Sequence, residues 1–229
     1  MTKSKSETPE SIEAVESALS KTEQYIEDNQ KSLTIIIAAI IIIVGGYLAY
    51  QKFYVAPKET EAVKEMFVAE QYFAKDSFNL ALNGDGNYPG FLDIIDDYSV
   101  TNAGNLSNYY AGISYLRLGQ FEKAIDYLED YDGEDVMIAP IAKGAIGDAY
   151  MELGNDKDAI SNYVKATEIN NNEFTTPIYL MKAAMVYEKT NDYKKASELY
   201  EKIIKEYNKS GEARKAEKYL TRAKLKGGL

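Results

Sequence analysis

The sequence has no cysteine and no histidine among its 229 residues. Without cysteine there is no disulfide, no thiolate nucleophile and no zinc–thiolate site. Without histidine the commonest general base and the commonest metal ligand are both missing, which removes most hydrolase designs. Positive charge is scarce: 26 Lys and Arg face 36 Asp and Glu, a formal net charge of −10. Phosphate binding needs a strong basic field, so nucleic acid is excluded as the main partner. No phosphate-cradling glycine loop is present, because Gly84-Asp85-Gly86 lacks the strand-to-helix setting such loops need. The sequence therefore predicts no enzyme and no cofactor.

Charge is also missing from one stretch. Residues 33–50, LTIIIAAIIIIVGGYLAY, contain no charge, no Asn, Gln or Pro, and eight Ile or Val. At about 1.5 Å per residue this run reaches ~27 Å, close to the hydrocarbon thickness of a bilayer. The segment before it carries seven acidic residues against four Lys. A cleaved signal peptide has a short basic start and a small-residue cleavage site, so the run is expected to be a permanent anchor. Near the run, Lys21 and Lys31 lie on the tail side and Lys52, Lys58 and Lys64 on the other. The Lys/Arg rule thus gives no support for a tail facing the cytoplasm. Tyr47, Tyr50, Phe53 and Tyr54 form an expected interfacial aromatic belt.

The whole chain is 27% charged and 45% hydrophobic, a globular composition. In the polar tail, 1–31, Thr8-Pro9-Glu10 reads as a helix start, and Ile12, Val15, Leu19, Thr22 and Ile26 form one apolar seam. This is either a lone amphipathic helix or a contact with a partner helix or second copy. The anchor covers 32–54. From 56 to 104 the pattern predicts a helix begun by Pro57, with Ala62, Met66, Ala69, Tyr72 and Phe73 on one face. Two short helices follow, 76–82 and one through Phe91, Ile94, Ile95 and Tyr98, with a break at Ala103-Gly104-Asn105.

From 105 to 208 the chain repeats. Gly112, Tyr115, Gly119, Phe121, Ala124 and Leu128 are followed in phase by Gly147, Tyr150, Gly154, Asp156, Ala159 and Tyr163. Ala184, Tyr187, Asn191, Tyr193, Ala196 and Tyr200 complete the series. The small residues allow two helices to approach closely, and Gly119, Gly154 and Asn191 tolerate the left-handed turn between them. Pro140 and Pro177 suit first helical turns. The pattern resembles the tetratricopeptide repeat, a helix–turn–helix unit of about 34 residues. The fold class expected is all-α: one N-terminal transmembrane helix, then a helical solenoid of three repeats. A polar capping helix closes it at 210–226, with Ala213, Ala216, Tyr219, Leu220 and Ala223 facing inward.

The order of tail, span and repeats resembles single-span tetratricopeptide proteins ancillary to the bacterial Sec translocon. The stretch Gly90-Phe91-Leu92 through Asn105-Leu106-Ser107-Asn108-Tyr109-Tyr110-Ala111-Gly112 resembles Bacteroidetes-type versions. The resemblance implies an inner-membrane protein with a cytoplasmic tail and a periplasmic repeat domain, binding the translocon or periplasmic chaperones. The alternative is a structural organiser of an envelope or division complex, self-associating through the tail seam.

The solenoid's inner face is expected to show Tyr109, Ile113, Leu116 and Arg117 from unit one, and Asp148, Met151 and Glu152 from unit two. Unit three adds Met181, Met185, Glu188 and Lys189. Flexible methionines suit apolar client segments of varied shape; equally, they pack between helices. Asp85-x-Asn87-x-Pro89-Gly90-x-x-Asp93-x-x-Asp96 has a faint EF-hand spacing, but Pro89 sits at a ligand position and the last place is Asp. A solvated loop is the expected reading, and no metal site is assigned. Asp96-Asp97 and the acids of 132–135 read as solvated surface. The chain is acidic over 70–135 and basic over 202–226, a polarity suited to anionic lipid, an acidic partner or plain solubility.

Overall fold

The computed structural model describes residues 24–229. The expected tail helix lies outside them except for its end: 24–28 are helical, and Ile26 is 49% exposed. The chain divides into two compact units, Met1–Tyr54 and Val55–Leu229.

The first unit contains helix α1, Gln30–Tyr50. It is long and apolar enough to cross a membrane, and its apolar stretch is exposed. The Thr34 hydroxyl is satisfied locally, since its Oγ1 donates to the Gln30 carbonyl at 2.8 Å. A five-residue π-helical turn, Gln51–Val55, follows; it has no signature in the hydrophobic pattern.

The second unit is helical throughout its ordered elements, with no strand among the described residues. Helix α2 (Ala56–Ala74) has Pro57 in its first turn and buries Ala62, Met66 and Ala69. Short helices α3 (Phe78–Asn83) and α4 (Phe91–Asp97) pack beside it. Three hairpins follow: α5 (Asn102–Arg117) with α6 (Phe121–Asp130), α7 (Ile138–Glu152) with α8 (Asp156–Ile169), and α9 (Thr175–Lys189) with α10 (Tyr193–Glu206). Helix α11 (Gly211–Gly227) closes the stack.

The hairpin turns follow from single residues. Gly119, Gly154 and Asn191 take φ of 74°, 74° and 63°. The next amide in each turn donates back to the helix: Gln120 to Tyr115, Asn155 to Tyr150 and Asp192 to Tyr187, at 2.8–2.9 Å. Three units thus stop their first helix with one hydrogen-bond pattern. Asn155 and Asp192 then cap the second helix by accepting from the amides of Asp158 and Lys195. Close approach sets the pairing. A Cβ on Gly112 would fall 2.5 Å from Leu128, and one on Gly147 would fall 2.7 Å from the Tyr163 ring. Ala124, Ala159 and Ala196 are fully buried.

The expected break at Ala103-Gly104-Asn105 is not there. Helix α5 begins at Asn102, capped by the Thr101 hydroxyl accepting from the Gly104 amide at 2.9 Å. Gly104 is required for a different reason: a Cβ would meet the Tyr98 carbonyl oxygen at 2.1 Å. The loop at 84–90 is as expected, and its Asp85 is fully used. Its carboxylate accepts from the Tyr72 hydroxyl at 2.7 Å and from the amides of Asn87 and Tyr88 at 2.9 Å. No acidic group able to hold a metal ion is assembled among the described residues.

Packing between units defines two sides. Successive first helices touch one another: α2 with α5, α5 with α7, α7 with α9 and α9 with α11. The second helices α6, α8 and α10 make no such contacts with each other. The inner face is therefore built from α2, α5, α7, α9 and α11.

Candidate protein-binding groove

On this inner face α5 and α7 border a groove of about 810 Å³. Its lining includes Tyr109, Ile113, Leu116 and Arg117 of α5 and Asp148, Met151 and Glu152 of α7. The structure thus brings together all the residues expected from units one and two. Phe73 of α2, Gly119, Phe121, Ile141, Ala145 and Tyr179 of α9 complete it.

One end is aromatic. Phe73 lies edge-on to Tyr110 at 5.0 Å and to Phe91 at 6.3 Å, and Phe91 stacks on Tyr110 at 4.9 Å. Tyr109 contacts both Tyr110 and Tyr131. Burial raises the Tyr109 hydroxyl above the ordinary phenol value, and it raises Tyr110 to about 12. Both stay neutral in any ordinary buffer.

The floor is a polar network turned inward. Asp148 accepts from the Tyr163 hydroxyl at 2.6 Å and from Lys182 Nζ at 2.7 Å on both oxygens. The Lys182 ammonium also lies 5.6 and 5.7 Å from the ring centres of Tyr163 and Tyr179, which stack on each other at 6.3 Å. Burial first, then Asp148, pushes both hydroxyls up. The Asp148 charge is therefore matched within the protein. The exposed charges Arg117 and Glu152 form no ion pair among the described residues.

Tyr179 of unit three lines this groove, but the four residues expected from that unit do not. Met181 is 7% exposed and packs in a core with Ala184, Ala196 and Tyr200. Glu188 pairs with Arg222 of α11, and Lys189 pairs with Asp156 at 2.6 Å. Met185 is exposed but does not line the groove. Helix α11 packs on α9 and takes up Glu188 through Arg222, while Met181 turns into the core shared by α9, α10 and α11.

Sequence reasoning missed Tyr179, Lys182, Phe73, Phe121 and Ile141. One signal was available: Gly144, a second glycine in α7. A Cβ there would fall 1.9 Å from the Tyr179 ring, so the glycine exists to admit a bulky residue from the next unit.

Stacked helical hairpins with one lined inner face define the class of helical-repeat solenoids, whose stacked units offer an extended surface for other proteins. Residues 107–131 and 179–210 match one family model of the tetratricopeptide repeat, and 142–173 match another. The chain carries tetratricopeptide repeats, which are typically non-catalytic scaffolds for protein–protein interaction. The fold is similar to the crystal structure of Podosopora anserina kinesin light chain nearly identical TPR-like repeats. The TM-score is 0.57, with 14% identity over 74% of this chain and 88% of that one. A point variant of the same Podosopora anserina repeats aligns with the same values. No curated protein matches the chain.

Proposed function

We propose that the protein is a membrane-anchored, chaperone-like scaffold that assists protein export at the Sec translocon. It sits in the bacterial inner membrane with the repeat domain on the periplasmic side, and its partners are the translocon or periplasmic chaperones. The groove is the contact surface. The observation that carries this reading is the groove's chemistry: apolar and aromatic walls, a floor whose carboxylate is already neutralised, and one free charge of each sign. An apolar segment of another polypeptide gains by burying side chains against Ile113, Leu116 and Met151, and Arg117 and Glu152 orient it. Helix α1 has the length and composition to supply location, which raises the effective concentration of client at the groove. The order of span and repeats supports the Sec assignment through the resemblance already described.

The test is affinity purification of the full chain from gently solubilised membranes, with mass spectrometry of co-eluting proteins. Ile113→Asp with Met151→Asp is expected to lose translocon subunits and clients while keeping the native circular dichroism spectrum. Unchanged co-elution removes the groove; partners without any translocon subunit remove the Sec assignment.

A further inference from the structure

Helix α11 buries one face in the stack and leaves the opposite face exposed. Its inner side is filled by Ala213, Ala216 and Ala223, all buried. Two of its cations hold it in place: Arg222 Nε donates to Glu188 at 3.2 Å, and Lys224 pairs with Glu201 at 2.7 Å. Arg214, Lys215, Lys218 and Lys226 are exposed and form no ion pair among the described residues. At 100° per residue these four fall on one arc roughly 120° wide. Leu225 lies in the same arc and is 79% exposed. Glu212 and Glu217 fall outside the arc. This face belongs to a chain of net charge −10, so its cations are a local feature and not a reflection of overall composition.

We infer that the outer face of α11 docks on an anionic lipid surface, its four free cations on headgroup phosphates and Leu225 at the headgroup–acyl boundary. A face that combines unpaired cations with an exposed leucine fits a surface that is anionic outside and apolar beneath. The inference rests on the membrane-anchored reading for its choice of lipid over an acidic polypeptide: a chain held at a bilayer meets headgroups first. Each basic side chain near such a surface raises partitioning about fivefold.

The chain has no cysteine, so Leu225→Cys in the full chain accepts a single environment-sensitive dye. The labelled protein is reconstituted into nanodiscs of phosphatidylcholine alone or with added phosphatidylglycerol. The expected result is a blue-shifted, brighter emission only with phosphatidylglycerol, reversed by high salt. K215E with K218E abolishes it, a loss of at least about 25-fold in the lipid-bound fraction ratio on the same scale, and K215R with K218R restores it. Identical emission in both lipids overturns the inference. So does a dye that shifts only when soluble polyglutamate is added, which would assign the face to an acidic polypeptide. Retention of the chain on the discs in high salt reports the span separately, so loss of retention refutes the anchor while the low-salt dye signal still reads α11.

Discussion

Replacing Gly144 by alanine tests how α7 and α9 fit together. In most helix interiors this change stabilises, by roughly 0.5–1 kcal/mol, because glycine loses more backbone entropy on folding. Here the new Cβ falls 1.9, 2.2 and 2.6 Å from Cε1, Cζ and Oη of Tyr179. The ring has no room to yield. It is 7% exposed, it stacks on Tyr163 at an interplanar angle of 16°, and Lys182 lies over it. That lysine is fixed in turn by both oxygens of Asp148. Overpacking of this kind costs about 1–3 kcal/mol, and displacing the ring from the ammonium adds about 0.5–1 kcal/mol. After the helix-propensity gain, the net loss is about 1–3 kcal/mol. For a domain of this size that lowers Tm by about 2–4 °C per kcal/mol. Thermal and urea unfolding of the full chain, followed by circular dichroism, measures it. The decisive comparison is the Tyr179→Leu background, where the Cβ meets no ring and the same alanine is neutral or stabilising. The difference between backgrounds is the coupling energy. An equal effect in both backgrounds, or a gain in the native one, refutes the account.

Three further outcomes are expected. Gly154→Ala costs about 1–2 kcal/mol, because φ is 74° while the space around the position is open, so the penalty is conformational alone; an unchanged urea midpoint counts against it. Glu188→Gln weakens the tie to Arg222 and speeds amide exchange in α11 while leaving α7 and α8 unchanged; uniform exchange across the domain would contradict this. The Asp85 carboxyl is held below its ordinary value of 3.8, first by the Tyr72 hydroxyl and then by the amides of Asn87 and Tyr88. A depressed folded-state value means the loop's stabilisation is present above 3.8 and fades as pH falls through the lower folded value. Tyr72→Phe should move the carboxylate titration, read by NMR, back up toward 3.8; no movement would show that the hydroxyl does not set it.

Where a residue's requirement is local, the sequence discloses it. Gly119, Gly154 and Asn191 were legible because a positive φ admits few residue types, and the in-phase Gly112 and Gly147 were legible because two helices must touch there. Gly104 was misread for the same reason in reverse. A glycine that breaks a helix and a glycine that admits a neighbouring carbonyl look identical in one dimension, and only the 2.1 Å approach to Tyr98 distinguishes them. The placement of Met181 and Glu188 was not legible because it depends on the neighbouring helix. Met181 occupies the register of Tyr109 and Gly144, but the register does not reveal that α11 packs on α9 and draws Glu188 to Arg222.

The same distinction governs what the groove can select. Read from the sequence, Asp148 is one more charge facing a client. In the structure its two oxygens are occupied by Lys182 and Tyr163, so it presents neither a free anion nor a pairing site. Recognition of a C-terminal or side-chain carboxylate needs unpaired cations pointing inward. Among the described lining residues, Arg117 is the one basic group, and it is exposed. Most of the surface left to the proposed occupant is apolar or aromatic, from Phe73 and Tyr109 through Ile113 and Leu116 to Met151. Under the proposed function, affinity would follow the bulk and hydrophobicity of the bound segment, while the pair of opposite free charges, Arg117 and Glu152, would set its direction. A groove that bound apolar segments in this way would discriminate by shape and tolerate variation in their sequence, as the proposed function requires.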